Sequence, residues 1–173
     1  MVSSRLLVVF SLFLYLSCSD SKDSKGRYKQ DNIDDLKQKI ILNGNVDAYN
    51  QLYLDYMHDS NQTDFLPYSI IMANEHEYPQ AFFDVFELLY STIYYKKESR
   101  NYESCVDLNL SCLDLETRSV ALSFLKKAIE RGNLAASKTL LDYYDKNKHY
   151  PIEELYTDKK LMEKAKLNLQ NSE

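Results

Sequence analysis

Three cysteines, Cys18, Cys105 and Cys112, and three histidines, His58, His76 and His149, are the side chains of this 173-residue chain most suited to chemistry. Their spacing supports little of it. A structural zinc site draws on four Cys or His ligands, often with a Cys-x-x-Cys pair, whereas Cys105 and Cys112 have no such pair and no histidine nearby. No metal is expected. His76-Glu77 begins like a zinc-protease helix, but Gln80 stands where the second histidine belongs. Ser69, His76 and Asp84 make a triad on paper, without the strand-to-helix elbow that presents such a serine. Glycines occur only at 26, 44 and 132, which excludes a standard phosphate-cradling loop. The acidic pairs Asp34-Asp35 and Glu153-Glu154 fall where helices begin, and the helix dipole explains them without catalysis. We expect no catalytic residue, no cofactor and no small-molecule substrate: the chain reads as a binder, not an enzyme.

Composition agrees with that reading. Hydrophobic residues make up 45%, enough for a core, while three glycines and three prolines are too few for an all-β protein with many tight turns. Long helices with short polar loops are the alternative. Basic residues number 21 against 26 acidic, a net charge of −5, so nucleic acid is a poor partner. The Lys-Lys pairs at 96–97, 126–127 and 159–160 read as solvated helix faces.

The N-terminus reads as an address. Arg5 precedes an apolar run from Leu6 to Leu16 and then Ser17-Cys18-Ser19, the layout of a secretory signal. The run is shorter than the roughly 20 apolar residues a membrane-spanning helix needs. Leu16-Ser17-Cys18 resembles the lipobox of bacterial lipoproteins, with Tyr15 where that family usually has leucine. The resemblance implies cleavage before Cys18, a lipid on its sulfur, and a protein held to a membrane of the bacterial cell envelope. Ser17-x-Ser19 also suits ordinary signal peptidase, which would release a secreted product. A signal over 1–17 and a flexible polar tether over 18–31 are therefore expected ahead of a helical domain over 32–170.

That domain repeats itself. Gly44-Asn45-Val46-Asp47-Ala48, with Leu52 and Tyr56 beyond, matches Gly132-Asn133-Leu134-Ala135-Ala136, with Leu140 and Tyr144 beyond. Ala81, Val85 and Leu89 fit the same four-residue stride, and Ile40, Ala73 and Ala128 each stand eight residues before their alanine. The stride makes one apolar stripe on a helix. Gly44 and Gly132 are expected to close one helix, and Asn45 and Asn133 to cap the next. In the middle copy Glu77-Tyr78-Pro79 replaces Gly-Asn, and the proline starts the helix. The pattern predicts helices near 32–43, 46–58, 64–75, 79–95, 117–131, 134–146 and 153–170. Ala48 and Ala81 are 33 residues apart and Ala81 and Ala136 are 55, which places an insert near 96–116.

The string from Phe124 to Tyr144, with Lys127-Ala128, Gly132-Asn133, Ala136 and Leu140 in step, resembles the Sel-one-like branch of the tetratricopeptide repeat superfamily. The glycine usual after the tyrosine is missing, with His58 and Lys146 near its place. The resemblance implies an all-α fold, a short α-solenoid of about three antiparallel hairpins and about seven helices, whose concave face binds another protein. If the domain is exported, Cys105 and Cys112 meet an oxidising compartment and can close a small disulfide loop inside the insert; two free buried thiols are the alternative. Tyrosines at 49, 53, 68, 90, 94, 95 and 143 suit both inter-helix packing and partner contact. Helix 79–95, apolar nearly all round, reads as the central helix. An immunity protein that neutralises a secreted bacterial toxin is the alternative function, because an acidic surface suits a basic target.

Overall fold

A computed structural model describes residues 23–58, 62–98, 110–148 and 150–172. The fold is all-α, with eight α-helices and no strand among the described residues. The chain divides into two units, Met1–Asp35 and Leu36–Glu173. The first is described from Asp23, where helix α1 (Asp23–Asn43) begins. The stretch expected as a flexible tether is thus helical over its last part. It contains no proline, and its single Gly26 costs a helix only about 1 kcal/mol. The signal residues and Cys18 lie outside the described residues.

The second unit holds the repeats. Helices α2 (Val46–His58), α3 (Leu66–Asn74), α4 (Pro79–Glu98), α5 (Leu115–Glu130) and α6 (Leu134–Thr139) follow, the last running on as a π-helical turn over Leu140–Tyr144. Two further helices, α7 (Glu153–Tyr156) and α8 (Lys159–Gln170), end the chain. Helix α4 is central, as expected. It packs on α3 on one side and α5 on the other, and buries Phe82, Phe83, Val85, Phe86 and Leu88. Arg131 lays its guanidinium 4.3 Å from the Phe82 ring centroid at the edge of that interface, a cation–π contact that adds to the packing.

Three of the four aligned sets turn fully inward, while in the last Tyr144 is buried and Tyr56 and Leu89 are half-buried. Ala48, Ala81 and Ala136, then Leu52, Val85 and Leu140, then Ile40, Ala73 and Ala128 are buried without exception. Alanines in the first set, and at positions 73 and 128 in the third, let helix backbones approach, and Leu52, Val85 and Leu140 fill the space four residues on.

Several boundaries differ from expectation: α1 already runs from Asp23, so Asp34-Asp35 lie inside it and not at its start, and a 3-10 turn (Gln62–Phe65) precedes α3. The helix predicted over 153–170 is broken at Thr157-Asp158, because the Asp158 carboxylate accepts from Leu161 N at 3.1 Å and caps a new helix. Helix α5 starts at Leu115, two residues early, because Asp114 accepts both the Thr117 N–H and the Thr117 hydroxyl at 2.9 Å. The insert expected near 96–116 falls largely on residues 99–109, outside the described residues. Its end is no polar excursion: Leu110 opens a short 3-10 turn (Leu110–Cys112), and Leu110, Cys112 and Leu113 are buried.

Candidate functional site

The three hinge turns share one left-handed residue at the same aligned position. Gly44 and Gly132 take φ of 58° and 85°, and Glu77, four residues before Ala81, takes 51°. Glu77 thereby adopts the left-handed conformation its two aligned glycines take, although a side chain makes it costly there. At the third turn Gly132 N donates to Ile129 O and Asn133 N to Ala128 O, the paired bonds of a Schellman closure. Asn45 and Asn133 then accept from Ala48 N and Ala136 N, each at 2.8 Å. Both asparagines cap the next helix as expected.

Each turn also touches the next one. The His76 ring sits against Gly44, and its Nε2 lies 3.4 Å from Ile41 O. Arg131 reaches back to Glu77 at 3.2 Å. His76 is therefore a packing residue between the first two turns, and it does not join Ser69 and Asp84. His58 is exposed at the end of α2, and His149 lies outside the described residues. A third tie comes from α8: Asn168 donates to Ile129 O at 2.8 Å and to Ser137 Oγ at 2.9 Å.

From Asn133 a line of polar side chains runs inward. Its amide donates to Gln80 Oε1 at 2.9 Å, Gln80 donates to Asp84 Oδ1 at 2.7 Å, and the Tyr49 hydroxyl donates to Asp84 Oδ2 at 2.6 Å. Tyr49 Oη also lies 3.1 Å from Ser69 Oγ. Tyrosine has one proton and places it on the carboxylate, so Ser69 supplies the other. The line crosses α2, α3, α4 and the cap of α6, and Asp84 within it is only 3% exposed. No buried side-chain polar atom among the described residues is left without a partner. A satisfied network of this kind fixes one arrangement of helices, since each slip leaves a donor or acceptor unpaired.

The outer end of Asp84 faces a cavity of about 130 Å³ lined by Tyr53, Met57, Gln62, Asp84, Glu87, Leu88 and Ser91. Residues 84, 87, 88 and 91 share one face of α4 by helical spacing, and Tyr53 and Met57 are one turn apart on α2. Burial raises the Asp84 pKa from its ordinary value, against the pull of its Tyr49 and Gln80 hydrogen bonds. Glu87 is exposed as a residue, yet the partial burial of its carboxyl against the cavity and then the nearby Asp84 charge push its pKa up to about 7. Burial, Asp84 and Glu87 raise the Tyr53 hydroxyl in turn. Two acids within an apolar helix, Phe82-Phe83-Asp84-Val85-Phe86-Glu87-Leu88, were the visible signal of this site. In the sequence Asp84 stands out only as a triad member on paper and Glu87 not at all, because the aromatics around them dominate the pattern.

Elsewhere, a shallower hollow of about 450 Å³ is lined by Leu115, Arg118, Ser119, Leu122, Ser123 and Lys126 of α5 and Glu154 of α7. Exposed apolar side chains gather at the first turn, where Ile41, Leu42 and Val46 stand open to solvent, and recur at Leu115 and Tyr143. Of the tyrosines, Tyr49 is buried and packs its ring 5.0 Å from Phe65 and 5.6 Å from Tyr78. Tyr53, Tyr68 and Tyr90 are half-buried, Tyr143 is exposed, and the side chains of Tyr94 and Tyr95 lie outside the described residues. Cys112 is disulfide-bonded; Cys105 and Cys18 lie outside the described residues. No group of three or more metal-ligating side chains is found among the described residues, nor any helix long and apolar enough to cross a membrane. Comparison with known protein families, with curated proteins and with solved structures finds no match to this chain.

Proposed function

We propose that the chain is a helical-repeat lipoprotein of the Sel-one-like, tetratricopeptide type, anchored by Cys18 to a membrane of the bacterial cell envelope, whose domain binds another protein. The observation that carries the reading is the register of the turns. Three left-handed residues stand four positions before three buried alanines, and successive turns are tied through His76 and Arg131. Hairpins joined in register present their outer residues as one continuous surface, the arrangement by which helical repeats hold partner proteins. Leu42, Leu115 and Tyr143 are exposed apolar side chains that a partner could use as footholds. The anchor rests on Arg5, the apolar run to Leu16 and Cys18. Two acyl chains or more on one cysteine hold a protein stably, where a single chain does so marginally.

Two measurements test the two halves separately. Cys18→Ala is expected to move the protein from the membrane to the soluble fraction and to abolish labelled palmitate incorporation; unchanged fractionation would refute the anchor. A photo-crosslinking residue at Leu42, Leu115 or Tyr143 in the native envelope is expected to give a discrete heavier species, absent when the probe replaces exposed Lys164. No crosslinked species at any apolar site would refute the binding surface. The acid-lined cavity favours one narrower version, an immunity protein covering a basic site on a secreted toxin, and an adjacent toxin gene would separate it from the general reading.

A further inference from the structure

The cavity enclosed by α2, α4 and the 3-10 turn Gln62–Phe65 has a chemistry that helix packing does not require. Its lining holds two carboxyls, a serine and a tyrosine hydroxyl and one amide, and no cation: none of the seven residues is basic. The Ser91 hydroxyl spends its proton on Leu88 O at 2.7 Å, so it faces the cavity only with lone pairs. Glu87 has neither a hydrogen bond nor an ion pair among the described residues, although Asp84 one turn behind it adds a second negative charge. The remaining walls are the Tyr53 ring, the Met57 thioether and Leu88, which are apolar and suited to a methylene stem. Nothing about packing α2 on α4 calls for an unpartnered carboxylate beside a buried one.

Size and valence narrow the occupant. A volume of about 130 Å³ is below the roughly 300–1,000 Å³ of pockets that enclose a metabolite. It admits the end of one side chain. A divalent metal asks for six or more oxygen ligands in the case of calcium, or near-ideal octahedral geometry in the case of magnesium. Asp84 is ill placed to supply them, because its two oxygens already accept from Tyr49 and Gln80. An ammonium on an aliphatic stem asks for less: three acceptors around the nitrogen, an aromatic face, and apolar contact along the chain. Glu87, Ser91 and the Gln62 carbonyl supply the first, Tyr53 the second, Met57 and Leu88 the third.

We propose that this cavity is the specificity pocket of the binding surface and takes a lysine side chain of the protein partner, its ammonium paired with Glu87 and its stem lying between Tyr53 and Met57. The proposal rests on the protein-binding reading and gives it a chemical rule: the partner presents an exposed lysine at the contact. Asp84 acts at one remove, holding negative potential at the floor of the pocket while its oxygens stay engaged in the network.

The test needs no identified partner. Full-length protein, 15N-labelled and held in detergent micelles, is titrated with Nα-acetyl-lysine methylamide and, in parallel, with the norleucine analogue that lacks the ammonium. The expected result is saturable movement of the Tyr53, Met57, Glu87 and Ser91 amide signals with Kd of about 1–10 mM for the lysine compound and none for norleucine. Glu87→Gln, at an exposed position, is expected to keep the fold and to raise Kd at least about tenfold, the loss of one charged hydrogen bond. Equal response to both compounds, no saturable response, or an unchanged Kd in Glu87→Gln would overturn the proposal. So would calcium chloride moving the same signals at lower concentration than the lysine compound. A failed titration with successful crosslinking at Leu42, Leu115 or Tyr143 would remove the pocket and leave the binding surface standing. Failed crosslinking with a successful titration would do the reverse.

Discussion

Gly44→Ala is expected to lower the stability of the 36–173 unit by about 2–4 kcal/mol, and Gly132→Ala by about 1–2 kcal/mol. Both glycines close a helix with positive φ, so both substitutions carry the left-handed penalty of about 1–2 kcal/mol. Their surroundings differ. A Cβ on Gly132 would meet nothing nearer than Asn168 Oδ1 at 4.0 Å, whereas one on Gly44 would lie 2.5 Å from His76 Cγ and Nδ1 and 2.9 Å from its Cβ. Those are the near atoms of the histidine, so no rotation of its ring clears them all. The turn between α3 and α4 must itself move, and that adds an overpacking cost of about 1–3 kcal/mol. Urea unfolding followed by circular dichroism measures both variants. His76→Ala in the Gly44→Ala background is expected to recover part of the loss, because it removes the ring but not the Cβ. Equal costs at the two glycines, or no recovery, would show that the first two turns do not press on each other.

The contact behind that prediction also marks where sequence reading stops. Period and spacing place Ala48, Ala81 and Ala136 on buried faces, because helical register is a local property that one chain carries in full. The Gly-Asn turns follow for the same reason: left-handed closure and the asparagine cap involve residues within four positions of each other. Glu77 was harder to see. Aligned positions alone put it where its counterparts are glycine, yet Tyr78 and Pro79 suggested a different kind of turn, and only the backbone shows that it keeps the glycine geometry. Asp158 was missed within an apparently continuous pattern, since an aspartate inside a charged helix and an aspartate capping a new one look alike. The line from Asn133 through Gln80 and Asp84 to Tyr49 lies further out of reach. Its directly bonded members are separated by up to 53 residues, and nothing local says that an acid on an apolar helix will meet a tyrosine two helices earlier. His76, which the sequence offers only to a broken zinc motif and a triad on paper, is wedged between turns, again a long-range fact.

Tyr49→Phe isolates the hydroxyl at the heart of that line, because the ring keeps its places against Phe65 and Tyr78. The variant loses a 2.6 Å bond to the Asp84 carboxyl group and is expected to be less stable by about 1.5–3 kcal/mol. In the Asp84→Asn background the same change removes only a neutral hydrogen bond and is expected to cost about 1 kcal/mol. The difference between the two costs is the charged share of the interaction. Acidity should act in the same direction. Burial raises the pKa of Asp84 in the fold, and Glu87 is raised from 4.5 to about 7 with Asp84 as one cause. A carboxyl whose folded pKa is raised binds its proton more tightly in the native state, so folding gains as pH falls. For Glu87 that gain is complete below about pH 4.5 and is lost as pH rises through about 7. The groups facing it are Asp84 and Tyr53, neither of which supplies a positive charge to reverse the sign. The melting temperature of the wild type is therefore expected to fall between pH 5.5 and 8, and Glu87→Gln to flatten the part of that fall centred near 7. A melting temperature that rises across this interval, or a Tyr49→Phe cost as small beside Asp84 as beside its asparagine replacement, would mean that the carboxylate is not held as the hydrogen bonds place it.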